Sequence, residues 1–150
     1  MARINFAFGA TERLTQACQT TLKQYLAGQK MVVYSSDIAR LRQFDQKLWA
    51  VDEAAFVPHV WADDPLAPQT PIVLVAKDLA RTLEGMPPET WLLNLDDACP
   101  PTCGSLERVL EIVSNEPEDK EAARQRWRNY QAAGHDLKSY SLESTLESKD

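Results

Sequence analysis

The sequence predicts a single three-layer α/β domain with a mostly parallel sheet. Short, wholly apolar segments alternate with amphipathic helices, and parallel strands that are covered on both faces show this pattern. Hydrophobic residues make up 44% and charged residues 25% of the chain, as in globular domains. At 150 residues the chain is too short for two ordinary domains. Right-handed crossovers between the strands would then give an open, Rossmann-like arrangement.

The first strand and the first helix have clear boundaries in the sequence. Residues 3–8 are predicted to form a strand that ends at Gly9. Thr11 can cap the helix that follows, and Gly28 is its expected end because glycine tolerates the left-handed conformation. The residues that share the apolar face of this helix are Leu14, Ala17, Cys18, Thr21, Leu22, Tyr25 and Leu26.

A second strand and helix repeat this pattern. Residues 31–34 are predicted to form a fully apolar strand. Ser36 or Asp37 can cap the next helix, which is predicted to run to Trp49. A long connection that contains three prolines is expected over residues 50–70.

The second half of the chain completes the predicted domain. Strands are expected at residues 72–75 and 91–95. The last helix is expected to include residues 120–130, and Asn115 can cap its amino-terminal end. Between them, helical spacing of apolar side chains predicts a short helix that contains Leu106, Val109, Leu110 and Val113.

The domain is predicted to span residues 1–138, followed by a polar tail over residues 139–150. The tail is short, acidic and without periodicity, which indicates disorder. No apolar run approaches the length of a membrane span, and the amino terminus lacks a signal-peptide pattern. A cytoplasmic protein is therefore expected.

Charge and motifs argue against broad nucleic-acid binding and against catalysis. Acidic residues outnumber basic ones 22 to 16, which gives a net charge of −6 and disfavours general binding to phosphates. The first strand exit has a single glycine, Gly9, with no phosphate-loop lysine after it, and no nucleophile motif surrounds any serine. Asp96 and Asp97 follow an apolar strand, so a metal-dependent phosphohydrolase remains an alternative. We predict no catalytic residue.

Three cysteines give no metal or disulfide pattern. Cys18 lies on the apolar face of the first helix and is expected to be a buried thiol. Cys99 and Cys103 are not spaced as zinc ligands, and the sequence has no second pair. No metal and no cofactor are expected.

The last helix carries the most informative pattern in the chain. Lys120, Arg124 and Arg128 recur at i, i+4 and i+8, so they share a stripe roughly 80° wide, with Trp127 at its edge. This surface suits an anionic ligand with an apolar end. Two alternatives remain: the cations serve only to stabilise the helix, or Arg124, Arg126, Arg128 and Trp127 bind single-stranded DNA directly.

Three segments resemble the chi subunit of the bacterial DNA polymerase III holoenzyme. They are residues 48–49 together with 56–59 (Leu-Trp and Phe-Val-Pro-His), residues 123–130, and Ala-Gly at 133–134. The resemblance covers nearly all of the chain up to about Leu137, although residues 77–89 align poorly. It implies a non-catalytic adaptor with a nucleotide-binding-like fold that lacks a phosphate-binding loop.

The resemblance also implies two partner surfaces. On the first, Lys120, Arg124 and Arg128 would meet carboxylates of the acidic C-terminal tail of the single-stranded-DNA-binding protein, which ends in Pro-Phe. Trp127 would help to form the pocket for the terminal Phe, and contact with DNA would be mainly indirect. The family has Tyr and Lys where this chain has Trp127 and Arg128, so the geometry of the site can differ.

On the second surface, Trp49 and Phe56 would meet the psi subunit or clamp loader, or alternatively a helicase. Ordinary core packing is the competing interpretation of these two aromatic residues. Phe56 lies in the proline-containing connection, where exposed aromatic residues often anchor an interface.

Overall fold

The computed structural model describes residues 2–52 and 56–142, which contain seven strands and four α-helices. The strands are β1 (Arg3–Ala10), β2 (Met31–Tyr34), β3 (His59–Trp61), β4 (Ile72–Val75), β5 (Trp91–Asn94), β6 (Arg108–Ser114) and β7 (Asp136–Ser141). The helices are α1 (Arg13–Leu26), α2 (Ile38–Trp49), α3 (Leu79–Glu84) and α4 (Pro117–Ala132). In these residues no helix is long and apolar enough to cross a membrane.

All the strands join one parallel sheet in the order β3-β4-β2-β5-β6-β1-β7. Helices α1 and α2 bury their apolar sides against one face, and α3 and α4 cover part of the other. The three-layer α/β prediction is confirmed. The sheet has β3 and β7 as its two edges, and α4 crosses over β1 to connect β6 with β7.

Several predicted boundaries agree with the structure. Asp37 caps α2 by accepting the backbone N–H groups of Ala39 and Arg40 at 3.0 and 3.3 Å. Gly28 has φ +83° directly after α1, and its N–H donates to the Tyr25 carbonyl at 2.9 Å.

The predicted caps of α1 and α4 are wrong. Thr11 lies before the α1 N-cap position, which Glu12 occupies without a side-chain capping bond. Asn115 similarly precedes Glu116, the N-cap residue of α4. In α4 the Asp119 carboxylate instead reaches back to accept the backbone N–H of Ser114 at 2.7 Å. Spacing alone did not separate a cap from the residue beside it.

The predicted helix over residues 106–113 is wrong, because most of this segment is strand β6. Helical spacing occurred by coincidence in a strand whose side chains are buried on both faces of the sheet. Glu111 interrupted the apolar run and made a buried strand difficult to recognise. Its side chain is nevertheless fully buried, and partners elsewhere in the fold satisfy it.

Other elements lie in segments predicted as irregular. The connection over residues 50–70 contains β3 and a short 3₁₀ turn at Ala67–Gln69. The domain boundary at residue 138 falls inside β7, so residues 139–141 belong to the sheet and not to a tail. Parallel pairing with β1 stabilises this polar strand, which lacks an apolar pattern of its own. Residues 143–150 lie outside the described residues.

A buried ionic cluster joins α4 to the sheet. Glu111 on β6 accepts hydrogen bonds from Arg126 Nε at 2.9 Å, Tyr130 Oη at 2.6 Å and Asn94 Nδ2 at 2.8 Å. The Arg126 side chain is fully buried, and its Nη1 also donates to the Asp97 carbonyl at 3.1 Å. Burial and the nearby Glu111 carboxylate raise the pKa of the Tyr130 hydroxyl, which therefore remains a donor. These contacts fix how α4 is rotated on the sheet.

We expect Arg126→Met to lower the free energy of unfolding by about 3–5 kcal/mol, because the buried Glu111 carboxylate loses its hydrogen-bonded cation and keeps the longer contact of 3.7 Å with Arg13. The exposed Arg124→Met on the same helix is the matched control and should cost about 0.5 kcal/mol or less. Urea denaturation measures both. Similar small losses for the two variants would show that the buried ion pair does not stabilise the fold.

Candidate functional site

The basic stripe of α4 lines a surface groove of about 630 Å³. Its three cations, Lys120, Arg124 and Arg128, are all exposed, and Trp127 is half-buried beside them. The predicted site residues of this helix therefore come together at one surface. The groove is lined by Phe6, Phe8, Val113, Lys120, Ala123, Arg124, Trp127, Arg128 and Ser139.

The floor of this groove exists because α4, which packs against β6 and β7, leaves the Phe8 end of β1 uncovered. Phe6 and Phe8 alternate along β1 towards the α4 face, and Phe8 remains 44% exposed. The Phe6 and Trp127 rings lie 5.1 Å apart between centroids, at 56° to each other. Ser139 on β7 forms the outer part of the floor, and its small side chain leaves the hollow open. The result is an aromatic depression flanked by cations.

The cations of the groove are largely available for a ligand. Arg124 donates to the Glu121 carboxylate at 3.1 Å, but both side chains are exposed, so this pair stabilises the helix only weakly. Within the described residues, no carboxylate lies within 4.0 Å of the Lys120 or Arg128 charged groups. An acidic ligand would relieve the mutual repulsion along the stripe.

Arg126 does not belong to this surface. It faces the sheet and is bound by Glu111, so the cation set proposed for direct single-stranded DNA binding loses a member. Residues two positions apart lie on opposite sides of a helix, so spacing already separates Arg126 from the stripe, but the sequence pattern did not reveal that a charged side chain there is buried. Its burial depends on Glu111, which lies in a different element.

Trp49 and Phe56 form a second exposed surface near the opposite edge of the sheet. Their side chains are 55% and 59% exposed, and their ring centroids lie 5.0 Å apart. His59 packs against Trp49 at 4.7 Å, and its Nε2 is bonded to Asp45 Oδ1 at 2.6 Å. Neither aromatic residue is part of the core, so the competing interpretation of core packing fails. A paired, exposed aromatic cluster is typical of an interface anchor.

The two aspartates of the phosphohydrolase alternative are held by contacts within the protein. Asp96 accepts hydrogen bonds from the hydroxyls of Ser35 and Ser36 at 3.1 and 3.0 Å. Asp97 pairs with Arg40 at 3.2 Å. Among the described residues, no group of three or more acidic, histidine or cysteine side chains is placed to hold a metal ion.

Arg13 fills the crevice at which open α/β sheets commonly bind a ligand. Its guanidinium donates to the carbonyls of Ile112 and Asp96 at 2.9 Å, at the carboxyl ends of β6 and β5. Further bonds reach the carbonyls of Asn94 and Leu95, both at 3.2 Å. The protein thus supplies its own cation where a related fold would place a phosphate-binding loop.

Sequence reasoning missed Phe6, Phe8 and Ser139 as residues of the groove. Phe6 and Phe8 lie on the same side of the predicted first strand, but the sequence did not indicate which of the two side chains remains exposed. Recognising Phe8 as a surface residue requires knowing that α4 leaves the end of β1 uncovered. Ser139 could not be assigned because the segment that contains it lacks a strand pattern.

Comparison with known proteins gives a consistent family assignment. The family model described as DNA polymerase III chi subunit, HolC, matches residues 1–138. A Pseudomonas aeruginosa protein named DNA polymerase III subunit chi is 28% identical over 149 residues, covering 95% of this chain and 98% of that protein. A Haemophilus influenzae protein of the same name is 25% identical over 129 residues, covering 84% of this chain and 85% of that protein.

The reactivity of the cysteine thiols tests how the structure places Cys18 and Cys99. Burial raises the pKa of the Cys18 thiol to about 12 and that of the Cys99 thiol to about 11. We expect both to react with Ellman's reagent at pH 8 at least about 100-fold more slowly in the folded protein than in urea, since only the thiolate reacts. Rapid labelling in the folded state would contradict the buried placement of Cys18 or the partly buried placement of Cys99.

Proposed function

Since the chain belongs to the DNA polymerase III chi subunit family, we propose that it links the clamp loader to the single-stranded-DNA-binding protein in the cytoplasm. Its accessory role in DNA replication follows from the family. The proposal adds that the α4 groove binds the acidic C-terminal tail of the single-stranded-DNA-binding protein. The chain contributes binding surfaces and no catalytic group.

The observation that carries this proposal is the combination of cations and exposed aromatic rings in one groove. Lys120, Arg124 and Arg128 are exposed along one side, and Phe8 and Trp127 border the hollow beside them. A tail that is acidic and ends in Pro-Phe matches both features. Its carboxylates would pair with the cations, and its terminal ring would enter the hollow between the aromatic side chains.

The physical character of this contact follows from its exposure. The cations lie at the surface, so their attraction to the tail is screened within about 8–10 Å at physiological salt. Binding should therefore weaken steeply as salt is added. The terminal ring adds a contribution from apolar burial that depends much less on salt. A weak, salt-sensitive contact suits a tether that must release and rebind as the polymerase moves.

The second surface, Trp49 with Phe56, is proposed to contact the psi subunit or the clamp loader. Both aromatic side chains are exposed near β3, whereas the α4 groove lies beside β7. Six strand spacings separate these two edges, which corresponds to about 29 Å at about 4.8 Å per strand. The separation would allow both partners to bind at once. A helicase that uses the same aromatic pair would compete with the psi subunit.

The first test of the tail site is calorimetric titration with a synthetic acidic peptide that ends in Pro-Phe. We expect Arg124→Ala to weaken binding by tenfold or more, in line with about 1.5–3 kcal/mol for a hydrogen bond to a charged group. The exposed Arg81→Ala on α3 is the charge-matched control and should leave the affinity unchanged. A peptide that lacks the final Phe should bind much more weakly.

Unchanged affinity for Arg124→Ala would remove α4 from the site. If the native protein bound neither peptide, the tail-binding proposal would fall.

The second surface is tested with the double variant Trp49→Ala/Phe56→Ala. We expect it to lose at least about 30-fold in affinity for the purified psi subunit, as for the removal of interface anchors worth 2 kcal/mol or more. Because the two sites are distant, affinity for the acidic peptide should stay within about twofold. Leu26→Ala, which truncates another exposed apolar residue, is the control. Equal psi binding by the double variant and this control would exclude the surface.

A further inference from the structure

The outer edge of β7 runs beside the α4 groove. Strand β7 is the last strand of the sheet, and the described residues contain no strand on its outer side. Helix α4 runs antiparallel to it, and the stripe from Lys120 to Arg128 rises about 12 Å at 1.5 Å per residue. The six residues of β7 extend roughly 17 Å. The edge and the groove therefore have similar lengths and lie side by side.

Backbone groups on this outer edge are oriented for pairing. The N–H of Asp136 donates inward to the Ala2 carbonyl at 3.1 Å. Because inward and outward groups alternate along a parallel strand, Leu137 and Ser139 direct their N–H and C=O groups outward. The backbone of an extended peptide could form hydrogen bonds with these N–H and C=O groups, as in other cases of strand addition.

The opposite face of the β7 edge is also basic and aromatic. Lys138 and Tyr140 project away from α4 by strand alternation, since Leu137 packs into the α4-side core. Lys138 is exposed, and Tyr140 is 43% exposed. Arg3, in register with Asp136, places a further exposed cation on this face. Within the described residues, no carboxylate lies within 4.0 Å of the Lys138 or Arg3 charges.

A second arginine stands next to Arg3 on that face. Arg3 is in register with Arg108 on β6, whose guanidinium lies 4.8 Å from the centre of the Trp91 ring. Two neighbouring cations on adjacent strands destabilise a sheet unless an anion is nearby. Asp136 and Glu107 supply two negative charges beside Arg3 and Arg108, away from the end of β7 where Tyr140 lies, against the three cations Arg3, Arg108 and Lys138. The face therefore retains a net positive charge along the edge.

We infer that an acidic, extended segment of the partner tail adds as a strand to the outer edge of β7, upstream of the terminal residues in the α4 groove. A strand added there presents alternate side chains to the two faces of the sheet. One set would meet Arg124 and Arg128, and the other would meet Lys138 and Arg3. Lys138 on the edge would at the same time disfavour pairing with a second basic strand. This inference rests on the proposed function and specifies its binding mode.

The experiment compares two synthetic peptides by calorimetry. The long peptide has about ten residues, is acidic and ends in Pro-Phe, whereas the short peptide contains only its last three residues. The long peptide should bind more tightly to the native protein. In the variant Arg3→Glu/Lys138→Glu, it should lose about three- to tenfold in affinity, while the short peptide is unaffected. The control Lys77→Glu/Arg81→Glu makes the same charge change on an exposed surface near α3 and should not alter the difference between the peptides.

Backbone methylation of the long peptide tests strand pairing itself. Each successive acidic residue is N-methylated in turn, which removes one donor and blocks one side of the backbone. Strand addition predicts that the losses in affinity alternate with a period of two, because only alternate N–H groups face β7. Circular dichroism checks that the charge-reversal variant is folded, and Lys138→Gln provides a milder substitution.

Equal binding of the two peptides, equal losses in the charge-reversal variant and its control, or methylation losses without alternation would each overturn the inference. In those cases the short peptide still binds and Arg124→Ala still weakens it, so the proposed function stands. If neither peptide binds the native protein, the proposed function and this inference fail together.

Discussion

The buried ion pair between Glu111 and Arg126 is the constraint on which the functional surface depends. A carboxylate and a guanidinium are stable inside a protein only when each is hydrogen-bonded, and here Tyr130 and Asn94 complete the shell of Glu111. Arg126 and Tyr130 lie on α4, so the cluster fixes the rotation of the helix about its own axis. With that rotation set, the stripe that carries Arg124 faces solvent, and Trp127 reaches the edge of the core.

The groove itself results from a mismatch between the layers. Helix α4 packs against β6 and β7 but leaves the Phe8 end of β1 uncovered, which exposes the Phe8 ring beside the cations. Parallel pairing with β1 is what keeps the polar residues of β7 in the sheet. The proposed binding surface for an acidic, aromatic-ended peptide therefore requires no dedicated loop. It requires only that the helix leave the end of one strand uncovered.

The two proposed partner surfaces use the two edges of the sheet in different ways. Near β3, Trp49 and Phe56 form a compact apolar cluster suited to a stable contact with a folded partner. Beside β7, dispersed cations suit a mobile acidic tail. Between the edges, the Arg13 guanidinium occupies the crevice at the carboxyl ends of the strands and donates hydrogen bonds to the carbonyls there. This arrangement fits an adaptor, because the centre of the sheet serves stability and its edges serve binding.

The sequence by itself determined the α/β class, the strands at β2 and β4, a cap of α2 at Ser36 or Asp37 and the basic stripe of α4. Local patterns encode these features: apolar runs, helical spacing and capping side chains act over a few residues. Only the tertiary structure decided that the segment around Glu111 is a strand, that Arg126 is buried and that Phe8 is exposed. Each of these depends on partners distant in sequence. In the sequence, a buried charged residue cannot be told from an exposed one, because its counter-ion lies in a distant segment. A polar strand such as β7 likewise has the pattern of a tail, because the pairing with β1 that stabilises it is not encoded locally.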